Sequence, residues 1–178
     1  MKFLSKAETL NELKINHLQF SIPDFIFFSY QNWVKNPSFF LSRIKALKNP
    51  SQVWAVRSSS VFEDNHNYSN AGAYQSLLNV SSENLFDSIN QVFDSMEMNN
   101  ENQVMVQVMV CNVYYSGVAF SHDPNLNSPY RVINWEFGNN TTSVTSGIGG
   151  RVWRQAATNP YKPPKEIIPV IELFPVES

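Results

Sequence analysis

At 178 residues, with 43% hydrophobic and 16% charged positions, the chain has the size and composition of one folded domain; its 13% aromatic content, supplying bulky core anchors, excludes extensive disorder. A formal net charge of -2 gives no broad basic field, which argues against a nucleic-acid partner. The single cysteine, Cys111, excludes an internal disulfide, and the three histidines have no zinc-ligand spacing, so a reducing cytoplasm is the expected location.

In Met1-Lys2-Phe3-Leu4 the start of a signal sequence is hinted at, but Lys6, Glu8, Asn11 and Glu12 interrupt any apolar core, and export is not expected. Ser5 can cap a short helix over about residues 6–14, where Ala7, Leu10 and Leu13 repeat at threefold spacing. Phe20 to Phe28 is β-rich but holds Pro23, which fits an edge strand or extended arm leading to Ser29, the cap of a helix through Trp33. Pro37-Ser38 opens a third helix, with Phe40, Ile44 and Leu47 on one face and a stop before Asn49-Pro50. A brief buried strand is expected at Val53–Val56. Residues 58–73, rich in Ser and Asn and holding Gly72, read as a loop.

Leu85, Ile89, Val92, Phe93 and Met96 follow the helical period strongly, with Ser82 available as the cap. Val104, Val106, Val108 and Val110 then alternate with Met105, Gln107 and Met109, the period of a strand in which Gln107 shares a face with the two methionines. Tyr115–Ser121 and Tyr130–Phe137 predict two further strands in a meander, joined through Asp123-Pro124-Asn125 and Ser128-Pro129. After Gly147 the chain turns proline-rich, then runs apolar from Ile167 to Phe174 with no closing helix expected. No segment is long and apolar enough to span a membrane. The class is α+β.

The chemistry-bearing stretch is Val56-Arg57-Ser58-Ser59-Ser60, followed by Glu63-Asp64 and Ser69-Asn70-Ala71-Gly72. A guanidinium fork at the end of a strand, beside hydroxyls and a glycine-containing loop, suits a polyphosphate. The same arginine would equally suit a structural pairing with Glu63 or Asp64. Gln107 on a methionine-lined face suits a purine, whose flat faces need apolar cover and whose edge needs hydrogen bonds. Asp123-Pro124 and His122 read as turn chemistry, and Cys111 and His66 take a structural reading.

These residues, taken in order, resemble a known family. Ala55-Val56-Arg57-Ser58-Ser59-Ser60, Glu63-Asp64, Asn70-Ala71-Gly72-Ala73-Tyr74, Leu78-Asn79-Val80, Val106-Gln107-Val108-Met109-Val110 and Ser116-Gly117-Val118-Ala119-Phe120-Ser121-His122-Asp123-Pro124 look like the nucleotide-binding domain of the phosphoenolpyruvate synthase and pyruvate phosphate dikinase family. Over Ser143-Val144-Thr145-Ser146-Gly147 the chain is more similar to a capsule-modification branch that includes L-glutamine kinase, because Asn139-Asn140-Thr141 stands where the synthases carry a Gly-Leu-Gly-Glu turn.

The resemblance implies an ATP-grasp-like domain spanning residues 1–178, of approximate lobes 1–100 and 101–178, whose C-terminal part lies outside this sequence. It implies ATP and Mg²⁺ as cofactors, a small-molecule acceptor, and a C-terminal partner domain or chain. By the same carry-over Lys6 contacts phosphates from a helix start that lacks the family's glycines, and Arg57 clamps them. Ser69, Ala71, Gly72 and Ala73 close over them, while Gln107 and the backbone near Met109 and Val110 hold the adenine. Glu136, on the face of Val132 and Asn134, stands in for the missing acid as a metal or ribose contact. Two rival readings remain at this point: a non-catalytic nucleotide-binding module, and a β-rich carbohydrate-binding domain stacking sugars on Trp135, Trp153 and Tyr130.

Overall fold

A computed structural model describes residues 4–15, 20–59, 64–65, 68–69, 75–123, 126, 128, 130–138, 150–156 and 162–172. The chain divides into two compact units, Met1–Val110 and Cys111–Ser178.

In the first unit, helix α1 (Lys6–Ile15) precedes strand β1 (Phe25–Ser29), helices α2 (Tyr30–Lys35) and α3 (Pro37–Lys45), and strand β2 (Val53–Ser59). A two-residue hairpin, β3 (Asp64–Asn65) and β4 (Tyr68–Ser69), leads to β5 (Ser76–Ser81), α4 (Leu85–Asp94) and β6 (Gln103–Val108). The helix starts follow local chemistry. Ser29 accepts a hydrogen bond from the Asn32 N–H at 3.4 Å, and Asn36 Oδ1 accepts one from Phe39 at 3.1 Å, with Pro37 in the first turn of α3. The N-cap of α4 is Asn84, not the expected Ser82, and it makes no side-chain cap bond, so the helix is positioned by the apolar face it buries.

Four strands form an antiparallel sheet in the order β1–β6–β2–β5. One face carries Phe28, Val104, Val106, Trp54, Val56 and Val80, packed against Trp33, Ile44, Leu85, Ile89, Val92 and Phe93 from the helices. Phe28 stacks on Trp33 with ring centroids 5.4 Å apart. Each such side chain contributes about 1.5–3 kcal/mol through burial. At the β5 edge, Trp54 pairs with Val80 and Val56 with Leu77, so Leu78 and Asn79 both oppose Ala55. That bulge places Asn79 at φ 56, a left-handed conformation asparagine tolerates better than most residues.

The expected strand at Val53–Val56 extends to Ser59, because buried Ser58 and Ser59 continue the pairing to β6 and Ser59 finds an acceptor role there. The expected loop over 58–73 therefore begins later and contains the β3–β4 hairpin.

The second unit is a three-stranded antiparallel meander: β7 (Tyr115–Phe120), β8 (Tyr130–Phe137) and β9 (Arg151–Ala156). A 3₁₀ turn at Lys165–Ile167 runs into helix α5 (Ile168–Glu172), which corrects the expectation of no closing helix. Ile133, Trp135 and Ile167 form its small core, with Ala119, Trp153, Val170 and Ile171 against it. Asp123 acts as turn chemistry predicts: its N–H bonds the Ser128 carbonyl at 2.9 Å and its Oδ1 accepts from Leu126 at 3.1 Å. Among the described residues no helix is long and apolar enough to cross a membrane.

Candidate functional site

Period-two alternation and the pairing register decide what the second face of the β1–β6–β2–β5 sheet carries. Phe25 lies opposite Gln107 and Phe27 opposite Met105; on the other side of β6, Gln107 lies opposite Ala55, Met105 opposite Arg57 and Gln103 opposite Ser59. Arg57 and Gln107 thus stand diagonally on neighbouring strands of one face, a separation of about 7–8 Å. Met105 is between them in the pattern, only 2% exposed, and gives that face an apolar floor. Gln107 is half-buried and Arg57 exposed. Among the described residues no carboxylate pairs with Arg57, and no side-chain hydrogen bond engages Gln107. The candidate partner Glu63 lies outside the described residues, and only the backbone of Asp64 is described.

α1 rests on the same face. Ser5 and Glu8 form a capping box: Ser5 Oγ accepts from the Glu8 N–H at 3.2 Å, and Glu8 Oε2 accepts from the Ser5 N–H at 2.8 Å. The Ala7 N–H donates to Ser59 Oγ at 2.9 Å, and Ser5 Oγ donates to Gln103 Oε1 at 2.7 Å. At the far end of the helix Lys14 pairs with Asp24 and sits over the Phe25 ring, 5.6 Å from its centroid. Lys6 therefore sits in the first turn of a helix whose start is tied to the strands bearing Arg57 and Gln107. Protein acceptors occupy three of the N–H groups at that helix start, those of Ser5, Ala7 and Glu8.

Arg57 and Gln107 share one face of the sheet, and the helix turn that contains Lys6 is bonded to that face at Ser59 and Gln103. Met109 follows β6 and donates its N–H to the Val53 carbonyl at 3.1 Å, and Val110 beyond it is exposed. Ser69 is placed by its backbone in β4, opposite Asp64. Ala71, Gly72 and Ala73 lie outside the described residues. In the second unit Glu136 shares a face of β8 with Val132 and Asn134, as the alternation predicts, and pairs with Ser116 across to β7. Among the described residues no group of three or more His, Cys, Asp or Glu side chains could hold a metal ion. The described residues by themselves therefore do not fit a magnesium site.

Sequence reasoning found Ser5 as a cap but missed Glu8 and Gln103 as its partners and Ser59 as the acceptor for the Ala7 N–H. The Ser-x-x-Glu spacing signalled the first; nothing local signals the other two, which lie far along the chain. The sugar-stacking set does not form: Trp135 is buried at 5% exposure beside Ile133 and Ile167, and Tyr130 lies on the opposite face of β8. A cavity of about 280 Å³ lined by residues such as Tyr30, Phe93, Met96 and Asn102 involves none of the expected site residues.

A sheet face offering a cation fork, a helix-borne ammonium and an uncommitted amide over an apolar floor is a surface for an anionic ligand with a flat polar-edged group. Residues 39–101 match the family model of the pyruvate phosphate dikinase AMP/ATP-binding domain, about a third of the chain, running from α3 through α4 and including Arg57. The match supports the family resemblance and adenine-nucleotide binding. No curated protein matches the chain significantly.

Proposed function

We propose that this chain is the nucleotide-binding part of an ATP-dependent phosphotransferase of the phosphoenolpyruvate synthase and pyruvate phosphate dikinase type. The observation carrying this reading is the shared sheet face of Arg57 and Gln107, with Arg57 inside the matched segment. Arg57 pairs through its planar fork with phosphate oxygens, and Lys6 adds a point charge from the start of α1. Gln107, over Met105, meets the edge of the adenine with its amide, while Met109 and Val110 supply backbone and apolar contacts beyond it. By the family resemblance Ser69, Ala71, Gly72 and Ala73 add contacts to the phosphates.

The fold in this reading is the front part of an ATP-grasp domain, working in the cytoplasm with a C-terminal partner domain or chain. The ATP phosphate goes to a small acceptor, and a glutamine side-chain amide fits the capsule-modification resemblance. Magnesium would neutralise charge on the phosphate oxygens when bound.

The test is calorimetric titration of the purified chain with ATP and with ADP, repeated on Arg57→Lys with thermal melting of each protein. Lysine keeps the charge and loses the fork, so affinity should fall about tenfold, the value of one charge-assisted hydrogen bond, while the melting temperature holds. An unchanged dissociation constant removes Arg57 from the site. A lowered melting temperature with unchanged affinity assigns it to a structural pairing with Glu63 or Asp64.

A further inference from the structure

Two serines with almost no solvent contact, Ser5 at 1% and Ser59 at 0% exposure, meet where α1 touches the sheet. Buried hydroxyls are costly unless bonded, and an apolar contact at this junction would hold the helix equally well. What hydrogen bonds add is direction. Ser5 is tied to β6 through Gln103, and Ala7 to β2 through Ser59; Gln103 and Ser59 are themselves direct cross-strand neighbours. Glu8 closes the cluster, accepting from the Ser5 N–H and, at 3.4 Å, from Gln103 Nε2. Each residue flanking Lys6 is thus fastened to a different strand, which fixes both the height of the helix start over the sheet and its rotation about its own axis.

Arg57 lies two residues from Ser59 on the same strand face, about 7 Å along β2. We propose that Ser59, Gln103 and Glu8 are positioning residues: they latch the start of α1 so that Lys6 and Arg57 address the same polyphosphate. This rests on the nucleotide reading above. None of the three touches the ligand. They act through the placement of Lys6, and a freely hinged α1 would carry the same ammonium without holding it there.

The test is a double-mutant cycle read by ATP titration, using the full chain with Ser59→Ala, Lys6→Ala and both together, with amide hydrogen exchange on the first. Ser59→Ala should lose protection at the Ala7 amide and weaken ATP about tenfold, as one lost charge-assisted contact does. Added to Lys6→Ala, it should weaken binding no further, because the residue it positions is already gone. If Ser59→Ala does not fold, Gln103→Ala, at a half-buried site, carries the same expectation. A merely structural role would lower stability while leaving ATP affinity of the folded protein intact. That result, or a fully additive cycle, overturns the proposal with the nucleotide reading standing. A wild-type chain that binds no nucleotide overturns both.

Discussion

Trp33 and Trp54 are both buried in the core of the first unit, at 2% and 3% exposure, yet their indole N–H groups have opposite fates. Trp33 Nε1 donates to Asn90 Oδ1 at 2.8 Å, tying α2 to α4, whereas Trp54 Nε1 has no hydrogen-bond partner among the described residues. Replacing either by Phe removes a similar amount of buried ring, a loss of about 1–2 kcal/mol. Trp33→Phe also forfeits a hydrogen bond, a further loss of about 1 kcal/mol, since water can reach the half-buried Asn90. Trp54→Phe removes an unsatisfied buried donor, whose desolvation costs about 1–3 kcal/mol, and so recovers most of what the smaller ring loses. The expected result is a gap of about 2 kcal/mol, with Trp33→Phe the less stable and Trp54→Phe close to wild type. Urea unfolding followed by circular dichroism measures both midpoints in the same unit. Equal losses, or a larger loss for Trp54→Phe, would show that ring packing alone governs these sites.

Two further substitutions test the frame. A Cβ on Gly117 would run into the backbone carbonyl of Asn134 and lie 3.0 Å from Trp135 Cα, so Gly117→Ala should force β7 from β8 and cost about 1–3 kcal/mol, seen as an earlier thermal transition. An unchanged melting curve would mean that the strand pair yields without cost. Asn36→Ala removes the Oδ1 that caps α3 at Phe39 and should cost about 1 kcal/mol in urea unfolding, while Asn36→Ser, which keeps a capping oxygen, should be nearly silent.

The elements legible in the sequence are those whose burial is written in one residue's periodicity. α4 buries Leu85, Ile89, Val92 and Phe93 from a single stripe, and β6 alternates cleanly because it is a central strand with distinct faces. β5 escaped notice because it is an edge strand, flanked by serines and broken by the Asn79 bulge. β9 escaped because Arg151 and Arg154 mask the alternation that Val152 and Trp153 carry against β8. α5 was obscured by Pro169, which is tolerated in a first helical turn. The face shared by Arg57 and Gln107 was half legible: each strand's alternation is local, but their pairing register depends on a contact between residues about fifty positions apart. The latch on Lys6 was least legible, since Ser59 and Gln103 become its neighbours only once the sheet has formed.

The strand order also separates near contacts from distant ones. β2, β5 and α4 are near neighbours in sequence and lie within the matched segment, so their contacts close short loops. Among the described residues β1 pairs with β6, so Phe25 meets Gln107 across most of the unit's length in sequence. Gln103 belongs to β6, so the strand that pairs with β1 also supplies an anchor for α1. α1 draws one of its two anchors from β2 and the other from β6, so its start is held on both sides only where these two strands are paired.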